Sequence, residues 1–388
     1  MCVDFVKFMC VFDSSHQNFD FFKIKGETNT MDTQQQKMLK NLSPTRMVLP
    51  ILVGLGVLFY MILTDDNINW NVIKKSLSQM DLWWVIASFV VLFARDFGYM
   101  SRIRTLTDNK LNWNSSFFVI MLWEFASAVT PSVVGGTTVA VFIMNKEKIP
   151  FGKALSFVML TAILDNLFFV FASLLVIALF PGSIFPANNY TTEILGFTLG
   201  LKQIFVVSVS LIALYTIFMA WGLFIGPKSF KRFLWKLTST RFTKRWRRDA
   251  VRSGNEMIVA SRELRGHPFS YWTKVVVSTI FIWSARYAML NCLINAFLHI
   301  DLMGMTHQSF LDQCLIFGRQ VIMWIVMLIS PTPGSAGTAE FFFGEFFKEF
   351  FKDSGIVLIV ALFWRLFTYY AYLAIGSIVL PRWITKRF

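Results

Sequence analysis

Eight charged side chains stand inside apolar runs of this 388-residue chain: Arg95, Asp96, Glu124, Asp165, Arg286, Arg319, Glu340 and Arg365. Near the centre of a bilayer each costs at least ~2.5–3.5 kcal/mol unless it is paired or wet. Two short segments break apolar runs in a way that bears on those charges: "TPSVVGGTT" (Thr130–Thr138) and "SPTPGSAGTAE" (Ser330–Glu340). Proline removes a backbone donor and glycine weakens a helix, so freed backbone groups there must face protein or a water-filled cavity. The half-helix after each break points free N–H groups and a partial positive charge inward, which favours an anion such as phosphate. Gly135, Gly136, Thr137 and Thr138 at one break, and Gly334, Ser335, Gly337 and Thr338 at the other, offer close approach and hydroxyls. With Arg319 and Arg365 they form a candidate headgroup-binding set, while Asp165, Glu340, Glu124 and Arg286 are candidates for charge pairing or proton coupling. Blander roles are equally open: a packing break, a structural Asp165–Arg365 ion pair between two halves, and Glu340 as a helix cap. Arg95 and Asp96 lie near one end of their run, where side chains can snorkel.

These residues must be positioned by membrane helices. The chain is 55% hydrophobic and 15% charged, with mean hydropathy +0.55, whereas soluble domains carry about 25% charged residues. Several runs approach the roughly 20 residues that span a bilayer. The net charge of +14 collects in loops between apolar runs, as the positive-inside rule requires, and no soluble fold offers a patch for nucleic acid. Four scattered histidines, four cysteines without CxxC spacing, and the lack of HExxH or GxxxxGK[ST] leave no metal site, cofactor site, catalytic set or ATP site to assign. Cys292 and Cys314 read as packing residues. Residues 1–30 lack the plan of a signal peptide, and Met31 opens a more ordinary N-terminus, so translation is expected to start there.

Loop charge orients the runs. The first, about 46–64, follows Lys37, Lys40 and Arg46, which places the N-terminus in the cytoplasm. A second, about 82–100, ends in Arg102, Arg104 and Lys110, again cytoplasmic. Run 115–144 is broken at Pro131 and Gly135–Gly136, and Lys146, Lys148 and Lys153 follow it. Basic loops on both sides predict a hairpin entering from the cytoplasm. Runs at about 152–180 and 203–225 then cross out and back. Loop 226–272 holds twelve Lys/Arg against three Asp/Glu; with Trp235 and Trp246 among its basic residues it suits an anionic lipid surface. A run at about 273–298 goes out, 310–347 breaks at Pro331–Gly337, and 354–380 returns to the basic end "RWITKRF". The loop before 310–347 has no Lys or Arg, which predicts a second hairpin from the opposite face.

The expected fold is an all-α polytopic membrane protein of about six spanning helices plus two broken re-entrant hairpins in an inverted-topology repeat. Its parts are a cytoplasmic segment 1–45, one transmembrane domain 46–380 with repeat halves at about 82–180 and 273–380, and a cytoplasmic tail 381–388. Thr130–Pro131 and Ser330–Pro331 stand 200 residues apart, as do Asp165 and Arg365.

"TPSVVGG" followed by "FGKALSFVMLTAILDN", then "SPTPGSAGTAE" followed by "ALFWRLFTYY", resemble the lysylphosphatidylglycerol synthase transmembrane, or flippase-like, family over about residues 46–380. The matching residues are Pro131, Gly135, Gly136 and Asp165, then Pro331, Pro333, Gly334, Gly337, Glu340 and Arg365. Where members carry a glutamate–arginine pair after the first glycines, "TTVAVFIMNK" stands instead. The resemblance implies a stand-alone member, without an aminoacyltransferase domain, that moves a lipid rather than synthesising one.

The expected function is therefore a non-enzymatic lipid translocase of a bacterial cytoplasmic membrane, with both termini cytoplasmic and a phosphate-bearing or anionic lipid as cargo. Its partners are membrane lipids, and a homo-oligomer is compatible with the sequence. Competing readings are a secondary transporter of a small soluble anion, a membrane-embedded enzyme acting on lipid phosphate, and a scaffold for partner proteins.

Overall fold

Local signals explain where the helices begin. The computed structural model describes residues 56, 59–60, 70–130, 133–186, 191–194, 197–237, 239, 247–297, 309–327, 335–351 and 354–387. After the short α1 (Trp70–Ser78), α2 (Leu82–Leu106) is capped by Asp81, whose carboxylate accepts from the Trp83 N–H at 2.9 Å. Asp108 and Asn109, both at positive φ, turn the chain after it. Asn112 then caps α3 (Trp113–Val129) by accepting from the Ser115 N–H at 2.8 Å. There follow α4 (Val133–Lys146), α5 (Phe151–Leu179) and a two-stranded antiparallel hairpin of β1 (Thr191–Ile194) and β2 (Phe197–Gly200). Next come α6 (Leu201–Ala220), α7 (Pro227–Leu237), α8 (Arg247–Gly266), α9 (Phe269–Asn295), α10 (Phe310–Met327) and α11 (Thr338–Phe347). The chain closes with α12 (Ser354–Arg365) and α13 (Ala371–Arg387), joined by a wide π-type turn at Leu366–Tyr370.

This is an all-α polytopic membrane protein. Six helical stretches among the described residues are long and apolar enough to cross a bilayer: Leu82–Leu106, Phe151–Leu179, Leu201–Ile225, Phe269–Asn295, Phe310–Met327 and Gly355–Arg387. The first has 25 residues, a length of about 37 Å against a hydrocarbon core of about 30 Å. They are not the same six that hydropathy alone selects. The run at 46–64 lies outside the described residues apart from three positions, while α10, expected as one arm of a hairpin, is long enough to cross. Apolar side chains such as Phe93, Phe171, Leu174 and Ile217 stand exposed on these helices, the surface a bilayer covers.

The most extensive helix pairing is the antiparallel pair α2/α9. Asp81 N–H donates to Ala296 O at 2.9 Å at one end, and Tyr271 Oη reaches Leu106 O at 3.5 Å at the other. Around this pair pack α3, α5, α10 and α12–α13, and Phe125, Phe343, Phe346, Phe347 and Tyr372 are fully buried between them. Loop 226–272 is helical over much of its length. Its α7 packs on α8, with Phe230 buried against Phe218 of α6 and Lys228, Arg232, Trp235 and Lys236 exposed. Lys153 on α5 bonds Glu263 on α8 at 2.7 Å.

The C-terminus differs from the expected tail. Residues 381–387 continue α13 through Pro381, and Trp383 is buried. Trp383 Nε1 donates to Glu147 Oε1 at 2.9 Å, Arg387 pairs with the same carboxylate, and Arg387 Nη2 donates to Ser115 Oγ at 3.3 Å. The end of α13 is thereby fastened to α3 and to the α4–α5 turn. Burial pushes the Glu147 carboxyl up, but the bonds involving Arg387, Ser115 and Trp383 outweigh it and hold the group below the usual carboxylate range. A folded-state pKa below the unfolded one gives stability that is present above the unfolded value, about 4.3, and lost as pH falls through the folded value. Thermal unfolding followed between pH 7 and pH 3 is thus expected to show an acid-side loss that Glu147→Gln reduces; a variant with the same acid profile would remove Glu147 from the account.

Candidate functional site

The buried charges form separate stations along the helices. On α2, Arg95, Tyr99 and Arg102 follow one another at helical spacing and share a face. Arg102 Nη1 bonds Asp165 Oδ1 on α5 at 2.5 Å and Thr279 Oγ1 on α9 at 3.0 Å, and its guanidinium lies 5.2 Å from the Tyr99 ring. Three helices are joined at that point. Arg102 is 2% exposed. Sequence reading used it only as a loop-charge marker, although its position seven residues after Arg95 was the available signal.

Arg95 is 0% exposed and does not snorkel. Its Nε and Nη2 donate to Asp96 Oδ1 at 3.0 and 2.8 Å, and Nη2 also donates to Tyr372 Oη at 2.6 Å. Tyr372 on α13 in turn donates to Asp96 at 2.7 Å. The bonds at Nε and Nη2 hold the charge inside the bundle, so the side chain has no reason to reach for the interface. Glu124 on α3 lies farther off, 3.6 Å from Arg95 Nη2 and 3.8 Å from Arg286 Nη1, both measured from the same Oε1.

The second break builds a third station. Gly337, at φ 81°, enters α11 in a conformation that L side chains rarely adopt, and Ser335 before it has φ 53°. Glu340 Oε2 accepts the Gly337 N–H at 2.7 Å, a cap from inside the first turn. Its Oε1 accepts Arg365 Nε at 2.8 Å, and the Arg365 guanidinium lies 4.1 Å from the Tyr369 ring. Glu340 is 0% exposed and Arg365 5%. Cap and ion pair are here one carboxylate. A direct Asp165–Arg365 pair does not form: each is bonded to a nearer partner, Arg102 and Glu340.

Arg319 on α10 spends its donors on protein. Nε and Nη2 donate to Ser183 O at 3.2 and 2.8 Å, Nη1 to Phe346 O at 2.9 Å, and Nη2 to Glu349 at 2.7 Å. It ties α10 to the end of α11 and to the turn after α5, a bracing geometry. Beside it, neutral amides join α9 to α10. Gln320 Nε2 donates to Tyr287 O and Asn291 Oδ1, Asn291 donates to Gln313, and Gln313 donates to Asn295.

At the first break, α4 resumes at Val133, so Gly135 and Gly136 sit inside its first turn rather than in the break. A Cβ on Gly136 would come within 2.0 Å of Ser127 Oγ, which explains the glycine as a close approach of α4 to α3. Thr137 and Thr138 are half-buried in the same turn, and Thr338 opens α11. Pro131, Ser132 and 328–334, which include Pro331, Pro333 and Gly334, lie outside the described residues. No group of three or more His, Cys, Asp or Glu able to hold a metal is found among the described residues.

Opposite charges are thus paired between apolar helices at Arg95–Asp96, Arg102–Asp165 and Arg365–Glu340. A model of the lysylphosphatidylglycerol synthase transmembrane region matches residues 47–376 of the chain. The chain belongs to that family. Family membership thus covers all three charge stations and both breaks. A "UPF0104 membrane protein" of Archaeoglobus fulgidus is 25% identical over 328 residues, spanning 81% of this chain and 90% of the relative. No solved structure matches.

Proposed function

We propose that the protein is a membrane lipid translocase that moves a phosphate-bearing or anionic lipid across a bacterial cytoplasmic membrane, both termini on its inner side. The observation that carries this reading is the set of buried ion pairs at Arg102–Asp165, Arg95–Asp96 and Arg365–Glu340, on helices whose outer surfaces suit lipid. Fixed charge inside a bundle costs several kcal/mol per ion before pairing, and a path for a polar headgroup is the function that such a lining serves. In this reading the first turn of α4, with Gly135, Gly136, Thr137 and Thr138, and the start of α11, with Ser335, Gly337 and Thr338, border the path, and Asp165, Glu340, Glu124 and Arg286 supply its exchangeable charges. The α7 segment rests on anionic lipid through Lys228, Arg232, Trp235 and Lys236.

An inverted repeat with α3–α4 and α10–α11 as hairpins from opposite faces completes this reading. Two observations support it: α3 packs on α4 as α10 packs on α11, and positions 165 and 365 each carry a charge bonded within its own half. In a cysteine-free background, Asn145→Cys is expected to label only from the cytoplasmic side and Ser309→Cys only from the other. The reverse pattern at either position rejects the arrangement.

The function is tested in proteoliposomes holding fluorescently headgroup-labelled phosphatidylglycerol. Faster equilibration between leaflets than in protein-free vesicles is expected. Equal rates, with correctly folded protein inserted, would overturn the translocase reading.

A further inference from the structure

Arg286, half-buried, stands apart from the four buried arginines among the described residues. Arg95, Arg102, Arg319 and Arg365 each make at least one hydrogen bond to a side chain or carbonyl at 3.2 Å or less. Arg286 makes none among the described residues; its one charged neighbour is Glu124 at 3.8 Å, beyond hydrogen-bond reach. Its guanidinium lies 5.0 Å from the Trp324 ring and 5.4 Å from that of Trp283. It also lines a small crevice, of about 20 Å³ as a water-sized sphere measures it, shared with Tyr287, Gln320, Trp324, Trp364 and Thr368. Tyr287 is 4% exposed, and its hydroxyl has no hydrogen-bond partner among the described residues. A buried hydroxyl and a guanidinium on a side chain only 15% exposed, both without a hydrogen-bonded acceptor among the described residues and both on residues that line one small crevice, are costly unless something brings oxygen atoms to them.

The missing partner has a definite chemistry. Both groups can donate, the guanidinium fork matches two oxygens of a planar or tetrahedral oxyanion, and the Trp324 and Trp364 indoles give the opening flat apolar walls. We propose that this crevice binds a phosphate-ester oxyanion, with Arg286 and Tyr287 as its donors and Glu124 as the internal competitor for Arg286. Glu124 is suited to that part. Unlike Asp165, Glu340 and Asp96, it makes no hydrogen bond among the described residues and stands between two guanidiniums. Arg95 Nη1 is buried and has no partner among the described residues. When an oxyanion takes Arg286, Glu124 has that vacant donor to turn to. Occupancy of the crevice, between α9, α10 and α12, is thereby linked to the contact of α3 with α2.

As a headgroup station the site rests on the translocase reading; as a phosphate site it does not. The test uses the purified full chain in dodecyl maltoside, which carries no phosphate, with tryptophan emission as the readout. Three probes are titrated: short-chain dihexanoyl phosphatidylglycerol, soluble glycerol 3-phosphate, and phosphate-free dihexanoylglycerol. Saturable binding of at least one phosphate probe, and none of the phosphate-free one, is expected. A charge-assisted hydrogen bond is worth enough that Arg286→Gln should weaken binding by at least about tenfold and Tyr287→Phe by about three- to tenfold. Glu124→Gln should strengthen it several-fold, a sign that a merely structural carboxylate would not produce. Should Arg286→Gln fail to fold, Tyr287→Phe and Glu124→Gln decide the matter. Binding unchanged in Tyr287→Phe and not tightened in Glu124→Gln overturns the site, as does a folded wild type that binds neither phosphate probe. Binding of glycerol 3-phosphate alone keeps the site and points to a free anion. Rapid lipid equilibration without binding of this residue dependence keeps the translocase and rejects the site.

Discussion

Glu340→Ala is expected to destabilise the protein by about 3–5 kcal/mol, because it leaves the Arg365 guanidinium buried without its counter-ion. The same replacement removes the acceptor for the Gly337 N–H, at the residue of strained φ that opens α11. Pairing Glu340→Met with Arg365→Met removes both charges and should recover most of the ion-pair cost, since two apolar side chains of similar volume need no desolvation. The Gly337 N–H stays unsatisfied in that double variant, so recovery should fall short by about 1–3 kcal/mol. Thermal unfolding in detergent checks this; a double variant no more stable than Glu340→Ala would show that uncompensated charge is not the cause. Arg365→Lys separates folding from transport. It keeps a cation beside Glu340 but loses the planar fork suited to phosphate. Near-normal stability with slowed lipid equilibration is expected, and a stable, fully active Arg365→Lys protein would count against a headgroup role.

The Arg102–Asp165 pair gives the second large effect, and a different pattern. Asp165→Ala strands Arg102, leaving Thr279 Oγ1 as its remaining hydrogen-bonded partner, and should again cost about 3–5 kcal/mol. Here no backbone group depends on the carboxylate, so Arg102→Met with Asp165→Leu should restore stability close to that of the wild type. If the pair also lines the headgroup path, the restored protein should still equilibrate lipid slowly. Full stability with full translocation would assign the pair to the fold alone. Equal residual instability in this double variant and in the Glu340/Arg365 one would contradict the distinction drawn between a pair and a pair that is also a cap.

The membrane class, the approximate bounds of the long apolar helices and family membership were legible without coordinates. Hydropathy and loop charge are sums over neighbouring residues, and a helix in hydrocarbon satisfies its own backbone, so length and composition suffice to locate it. Glu340 could be placed near a helix start for the same local reason, since the glycine and the carboxylate are three residues apart. Partner choice was not legible. Arg102 meets Asp165 across 63 residues and Arg95 meets Tyr372 across 277, and nothing in either local stretch selects the other. The Asp165–Arg365 ion pair that their mid-run positions left open does not form, because each takes a nearer partner. Tertiary packing also turned Arg102 from an interfacial charge into a buried one, drew the last residues of α13 onto Glu147, and put Arg286 and Tyr287 on one crevice without hydrogen-bonded acceptors among the described residues. A buried charge takes whichever opposite charge or donor the packed helices bring within about 3 Å, and that distance is set by how helices far apart in sequence cross one another.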